Sequence, residues 1–365
     1  MTSIEWTDHT WNPIVGCSIV SPGCTNCYAM KMAARIEAMA SSERAGFQPP
    51  HHYVGTTKKV NGNSVWTGKL ALAPESTLLE PLRRKKPTMY FVNSMGDLFH
   101  EKVIWEWMIK VWAAMYLADQ HIFQVLTKRA DNMQRIVSGE NFEREVKAAA
   151  RVNAHHHGKT YTARPWPLSN IWLGVSTEDQ KRADERIPLL LQTPAAVRFI
   201  SAEPLLGPID LDRIKREPDA EDRAMPGFAD IASFHVSAVY GSRWIEMKPG
   251  NMWSREAGEV PSLDWVIVGG ESGAGARPMH PQWARDLEAE CRAAGVAYFF
   301  KQWGEWAPQF DECGGQHPAV KTSTEVHHFM RTEHFGTSVV RIGKANAGRL
   351  LDGKEHNAFP EARHA

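Results

Sequence analysis

Three cysteines fall within eleven residues, in the array Cys17-x6-Cys24-x2-Cys27. Thiolates are soft ligands that suit iron–sulfur clusters, zinc and Cu(I). Three of them on one loop hold three corners of a cubane cluster and leave one iron without a protein ligand. An open iron binds a small molecule, as the open position of a catalytic metal site does. A zinc site asks for a fourth ligand, from Cys291, Cys313, His51 or His52, and the chain has no second close pair of cysteines. Three unrelated buried thiols are the bland alternative. Their clustering on a loop with Pro22 and Gly23, which permit a tight turn, stands against it.

Other polar residues recur just after apolar runs. Asn93, Ser94 and Asp97 follow one; Asp97 either binds a ligand or caps the next turn. Lys128 and Arg129 follow another, suited to a carboxylate or phosphate, or else solvated on a first helical turn. Ser176 and Glu178 divide evenly between ligand contact and helix capping. Glu203 sits where a catalytic or ribose-binding carboxylate belongs, with an ion pair beneath the loop as its alternative. Gly269, Gly270 and Glu271 open a GGESG loop that permits close backbone approach to a ligand and lacks the G-x-G-x-x-G dinucleotide spacing. Arg277 and His280 nearby suit phosphate. Lys301 and Gln302 end the last run, as proton donor, phosphate contact or clamp, against a snorkelling lysine. Cys291 falls on a helical pattern and reads as core. Cys313, beside two glycines, is an extra ligand, a radical relay or a chance loop thiol. His155-His156-His157 reads as a mobile loop tip rather than a metal site.

These positions need a scaffold. Runs rich in Val, Ile and Phe predict strands over Thr88–Ser94, His121–Thr127, Asn170–Val175, Val197–Ala202, Asp264–Val268 and Ala297–Phe300, with a short one near Trp11–Val15. Helical patterns alternate with them at Tyr28–Ala40, Val103–Ala118, Asp131–Val137, Thr177–Leu191 and Pro281–Ala294, the fourth capped by Ser176 or Thr177. The alternation implies an α/β chain with a parallel sheet. Polar residues at nearly every strand's C-terminal end favour a full or partial (β/α) TIM-like barrel over a doubly wound open sheet. The barrel domain is expected over 1–308, with polar loop insertions at about 41–69, 139–168 and 211–261, and a C-terminal extension over 309–365. Loops of that length are lids or disordered.

The chain has 365 residues, enough for one large domain or two ordinary ones. Forty-two basic and 42 acidic residues cancel, so any nucleic-acid groove must be local. No run of 18 apolar residues predicts a membrane span, and no basic-then-apolar leader stands at Met1, so the cytoplasm is expected. Five cysteines are too few for a disulfide scaffold. The 14 tryptophans suggest a bulky core or stacking surfaces, and Trp303, Trp306 and Phe310, with the basic run Arg83–Lys86, suit a flipped base and its phosphates.

The array, the strand before it and the helix after it resemble a radical S-adenosylmethionine (SAM) core. The common superfamily spacing is C-x3-C-x2-C, from which the first gap here departs. A closer resemblance runs through the whole chain: Ile4–Pro13 (IEWTDHTWNP), Gly23–Ala29 (GCTNCYA), Ser94–His100 (SMGDLFH), Leu126–Arg129 (LTKR), Ser201–Gly207 (SAEPLLG), Gly269–Gly273 (GGESG), Phe300–Gly304 (FKQWG) and Gly348–Gly353 (GRLLDG). In that order they resemble a phage- and prophage-associated family of radical-SAM-like proteins. The resemblance implies a 4Fe-4S cluster on Cys17, Cys24 and Cys27, reductive cleavage of SAM to a 5′-deoxyadenosyl radical, and hydrogen abstraction from substrate. Tyr28, Asn93, Ser94, Asp97, Lys128, Ser176, Glu178, Gly269, Gly270 and Glu271 then surround cofactor, and Glu203, Lys301 and Gln302 act on substrate. It further implies a nucleotide or DNA substrate (one candidate reaction is isomerisation of glycinyl-thymidine in viral DNA), a flavodoxin- or ferredoxin-type electron donor, and the host cytoplasm as location. The rival class is a zinc- or Fe–S-stabilised nucleic-acid-binding module without catalysis.

Overall fold

The computed structural model describes residues 4–40, 51–225, 227–248, 252–256, 260–310, 315–321, 324–329 and 337–361. The apolar runs form β1 (His9–Trp11), β2 (Met89–Val92), β3 (Ile122–Thr127), β4 (Ile171–Ser176), β5 (Val197–Ala202), β6 (Trp265–Gly269) and β7 (Ala297–Gln302). They lie in one seven-stranded sheet in chain order. The pairs β1–β2, β2–β3, β5–β6 and β6–β7 are parallel, in registers such as Thr10 with Phe91 and Ile267 with Phe299. A doubly wound sheet reverses its strand order at a switch point; this order never reverses. The chain is thus a mixed α/β protein compatible with a partial β/α barrel. Every residue of β4 and of β6 is buried, as in a parallel sheet covered on both faces.

The crossovers carry α1 (Tyr28–Ala40), α2 (Trp105–Leu117), α3 (Ala130–Val137), α4 (Phe142–His156), α5 (Gln180–Gln192) and α6 (Pro281–Ala294). Apolar positions three and four apart give each a core face: Met108, Val111, Trp112 and Met115 on α2, and Ala284, Leu287 and Cys291 on α6. Pro281 sits at the first turn of α6, His280 Nδ1 accepts from Gln282 N, and Gly295 ends it at φ +72°.

Three expectations need correction. The fourth expected helix begins at Gln180, not Thr177, and Asp179 rather than Ser176 or Thr177 caps it, its Oδ1 accepting from Arg182 N at 2.9 Å. The insertion over 139–168 is not a loop with a histidine tip. It contains α4, whose Phe142, Val146, Ala150 and Ala154 are buried at a spacing of four, and His155 and His156 are its last turn. The insertions over 41–69 and 211–261 contain sheets rather than bare lids. One holds the hairpin Thr57–Val60/Asn63–Trp66; the other holds antiparallel strands Ile214–Arg216, Ile231–Ser237, Ser242–Met247 and Met252–Glu256. Residues 41–50 lie outside the described residues.

The chain divides into two compact units, one of Met1–Gly174 with Thr193–Val197, the other of Val175–Gln192 with Arg198–Ala362. Tryptophans pin the loops of each. In the first, Trp11 Nε1 donates to Thr77 O at 2.8 Å; in the second, Trp265, Trp303 and Trp306 donate to Ala358, Leu350 and Ala276 carbonyls at 2.8–2.9 Å. Each buries a large ring and satisfies its one donor, which accounts for part of the tryptophan excess. The tail covers the β7 edge through Phe300 N to His356 O and Ala358 N to Tyr298 O.

Candidate functional site

In the first unit the three cysteines occupy the connection between β1 and α1. Two glycines seat it. Gly16 has φ +95°, and a Cβ there would stand 2.1 Å from Lys69 O; a Cβ on Gly96 would stand 2.7 Å from Ile14 O. Gly16 N can therefore donate to Met95 O at 3.0 Å, fastening the loop's base beside β2. The loop then turns through Pro22–Cys24, with Cys24 N on Ser21 O and Cys27 N on Cys24 O. Cys24 is buried, and Cys17 and Cys27 are half-buried.

Each sulfur meets a polar group. Arg129 Nη1 donates to Cys17 Sγ at 3.7 Å, Ser21 Oγ lies 3.8 Å from Cys24 Sγ, and backbone groups of Ala29 and Met30 hydrogen-bond Cys27 at the start of α1. Burial pushes the Cys17 thiol up to about 12, with Asp97 adding to the effect and Arg129 opposing it. Burial also raises Cys27, against the two backbone bonds and the Lys128 charge. Cys24 is within electrostatic reach of both other thiols. Among the described residues, no group of three or more His, Cys, Asp or Glu side chains is set to hold a metal ion.

Behind Cys17 stands a buried polar network. Asp97 Oδ2 accepts from Arg129 Nη1 at 2.9 Å, and its Oδ1 from Thr127 Oγ1 at 2.7 Å and Phe99 N at 3.0 Å. Arg129 also donates through Nε to Glu101 Oε2 at 2.8 Å and through Nη2 to Ser18 Oγ at 2.7 Å. Ser18 Oγ is 2.9 Å from His100 Nε2. His100 Nδ1 accepts from Lys102 N, and burial, then Arg129, holds this histidine below its ordinary pKa, so the neutral ring donates through Nε2.

Asn93 ends β2 at φ +59°; its Oδ1 accepts from Ile14 N at 3.2 Å, and its buried Nδ2 has no hydrogen-bond partner among the described residues. Ser94 Oγ donates to Asn12 Oδ1, and Tyr28, half exposed, donates its hydroxyl to Ser94 O at 3.1 Å. Of the expected positions in this unit, the structure thus joins Cys17 with Asp97 through Arg129, and Tyr28 with Ser94.

The second unit has its own polar cluster at strand ends. Glu203 Oε1 pairs with Lys301 Nζ at 2.9 Å, and Ser201 Oγ donates to Glu203 Oε2 at 3.3 Å. Gln302 Nε2 donates to Ser272 Oγ at 3.1 Å, while its buried Oε1 has no hydrogen-bond partner among the described residues. A Cβ on Gly270 would stand 1.9 Å from Trp303 O, so only glycine fits between these strand ends. Glu271 is held by Arg277 through Nε at 2.9 Å and Nη2 at 2.6 Å, a bidentate pair. Glu178 is fully buried and pairs with Arg186 at 2.9 Å, and Arg186 also donates to Ser176 O. Glu178 and Glu271 therefore face arginines of their own unit, and Glu203 faces a lysine.

Trp303 and Phe310 line a cavity of about 500 Å³ with Pro308, His317, Arg285 and Asp352, whereas Trp306 is buried. Arg84, in the basic run, pairs with Glu80 and lies over the Tyr90 ring. Cys291 is buried on α6, as its helical pattern predicts. Cys313 lies outside the described residues. Sequence reasoning reaches Arg129 but passes over Ser18, His100, Glu101, Thr127 and Arg186. Nothing in one sequence ties Ser18 to His100, 82 positions away.

A family model described as a protein of unknown function (DUF5131) matches residues 1–360, and the chain belongs to that family. No curated protein and no solved structure matches it.

Proposed function

We propose that this member of the DUF5131 family is a radical SAM enzyme whose barrel carries a 4Fe-4S cluster on Cys17, Cys24 and Cys27. When bound, that cluster supplies the electron that cleaves SAM, so that the deoxyadenosyl group can take a hydrogen atom from substrate. The observation that carries the reading is the loop after β1: three thiols in one turn, with a polar group at each sulfur. The Arg129 and backbone bonds favour the thiolate form that ligates iron, against the burial that raises Cys17 and Cys27. Three soft thiolates on one loop, without a second close pair of cysteines, are the donor set of a cluster with one open iron rather than of a four-ligand zinc site. Asn93 Nδ2 is a spare buried donor beside this loop's strand, fitted to an acceptor on SAM. Tyr28 and Ser94 then form one wall.

In the second unit, Lys301 holds a proton that Glu203 orients, and Gln302 Oε1 offers an acceptor to a substrate N–H or O–H. The class of substrate we propose, a nucleotide or modified base, rests on the sequence resemblance. The cavity beside Trp303 and Phe310 agrees with it in size and aromatic lining. An isomerisation of glycinyl-thymidine type is the candidate reaction, with a flavodoxin- or ferredoxin-type donor and the reducing cytoplasm as setting.

The test is anaerobic purification, iron and sulfide analysis, then dithionite with SAM and measurement of 5′-deoxyadenosine. Iron with SAM cleavage is expected, lost in Cys24→Ala and kept in Cys291→Ala. Zinc without iron, or a cluster that never cleaves SAM, moves the protein to the class of metal-stabilised, non-catalytic modules.

A further inference from the structure

We propose that Arg129 is a positioning residue that sets the reduction potential of the centre held by Cys17, Cys24 and Cys27. This deepens the reading above and rests on it. The geometry is specific. Arg129 is 5 % exposed, and its guanidinium divides its donors among Cys17 Sγ, Ser18 Oγ, Glu101 Oε2 and Asp97 Oδ2. Asp97 is itself fixed by Thr127 Oγ1 and Phe99 N. A planar fork with this many acceptors has one orientation, and that orientation sends Nη1 to the sulfur. Ser18 is set from its other side by His100 Nε2, whose ring is held by Lys102 N.

A cation donating to a ligand sulfur stabilises the more negative, reduced state and raises the potential. Hydrogen bonds to sulfur and net charge are the protein's levers on such centres. The two carboxylates partly cancel the cation and so act in the opposite direction. Glu101 is the adjustable one, because its side chain is 54 % exposed whereas that of Asp97 is 7 % exposed. Arg129 and Glu101 therefore carry opposite signs in the same function, which a purely structural ion pair does not.

The experiment uses the full chain with its iron, titrated anaerobically with dithionite and followed by electron paramagnetic resonance. Arg129→Met is expected to lower the reduced-to-oxidised ratio at a fixed applied potential by about tenfold, which for one electron corresponds to about 59 mV. Glu101→Gln is expected to raise the ratio, and Arg129→Lys to fall between Arg129→Met and the unsubstituted protein. Equal potentials in the unsubstituted protein and Arg129→Met, at equal iron content, overturn the proposal. So does a fall in Glu101→Gln, which also decides the matter where Arg129→Met does not fold. An unsubstituted protein that binds no iron fails the earlier reading instead, before Arg129 is ever substituted.

Discussion

Gly269 lies so close to Glu203 that a Cβ on it would stand 2.6 Å from Glu203 Oε1. That oxygen is the one paired with Lys301 Nζ. The absent side chain at the end of β6 is thus what admits the carboxylate at the end of β5. The GGESG loop has a definite physical reason for its first glycine, beyond the general freedom that glycine brings.

Gly269→Ala must therefore push Glu203 off Lys301. Where Glu203 and Lys301 act on substrate, a displacement of about 1 Å costs on the order of 100-fold in turnover. The expected result is substrate-dependent turnover reduced by about that factor, with iron content unchanged. Retained turnover in Gly269→Ala would remove Glu203 from the substrate-handling group.

Glu178 and Arg186 form a pair whose side chains are 0 % and 7 % exposed. Removing Arg186 takes away the cation that Glu178 contacts directly, and breaking a buried pair costs about 3–5 kcal/mol, eased here by the Arg277 charge that Glu178 also feels. Arg186→Met should lower the urea midpoint of the second unit accordingly. Adding Glu178→Gln to it should restore part of the loss, because the buried carboxylate charge is then gone. An Arg186→Met protein with an unchanged midpoint contradicts the pair's structural role.

Stability should also depend on pH through Glu290. Burial, then the nearby Asp210, Asp212 and Asp286, raises this carboxyl to about 8 against the opposing bond from Leu211 N. The folded protein holds the proton more tightly than the unfolded chain. Its contribution is therefore fully present below the unfolded carboxylate's pKa, near 4.5, and is lost as pH rises to about 8. Glu290→Gln should flatten the pH dependence of the unfolding midpoint across that window. An equal slope in both proteins contradicts the assignment.

The sheet is legible in the sequence because its strands are buried on both faces and read as continuous apolar runs; Val197–Ala202 matches its observed bounds. The helices Tyr28–Ala40 and Pro281–Ala294 do too, the second because proline and glycine mark its ends. The insertions are not legible, since Ile231–Ser237 mixes buried, half-buried and exposed positions without strict alternation and α4 is dominated by charge and alanine. The cysteine loop stands out by ligand type and spacing alone. Its surroundings do not: Arg129, Glu101, Ser18 and His100 meet only after β2 and β3 are brought together beside the loop, and no local pattern encodes that meeting. Glu178 shows what strand-end reasoning leaves out. A carboxylate just past a parallel strand's C-terminal end reads as a ligand contact or a cap, and the structure adds a buried pair with the arginine two turns along α5.

Asn93 offers the sharpest separation of fold from function. It holds φ +59° at the end of β2, and its Oδ1 accepts the Ile14 N–H beneath the cysteine loop. Alanine there incurs left-handed strain of roughly 1–2 kcal/mol and strands a buried donor at about 1–3 kcal/mol. Glycine incurs only the second cost. Asn93→Ala should therefore unfold at clearly lower temperature than Asn93→Gly, and equal losses in the two would contradict the backbone argument. Both variants also lack the unpartnered Nδ2. If that donor meets SAM, the more stable Asn93→Gly should bind SAM about as weakly as Asn93→Ala in equilibrium dialysis, at iron contents matched to the unsubstituted protein. Binding that instead follows the stability ranking would make Asn93 a support for the loop and leave SAM to other groups.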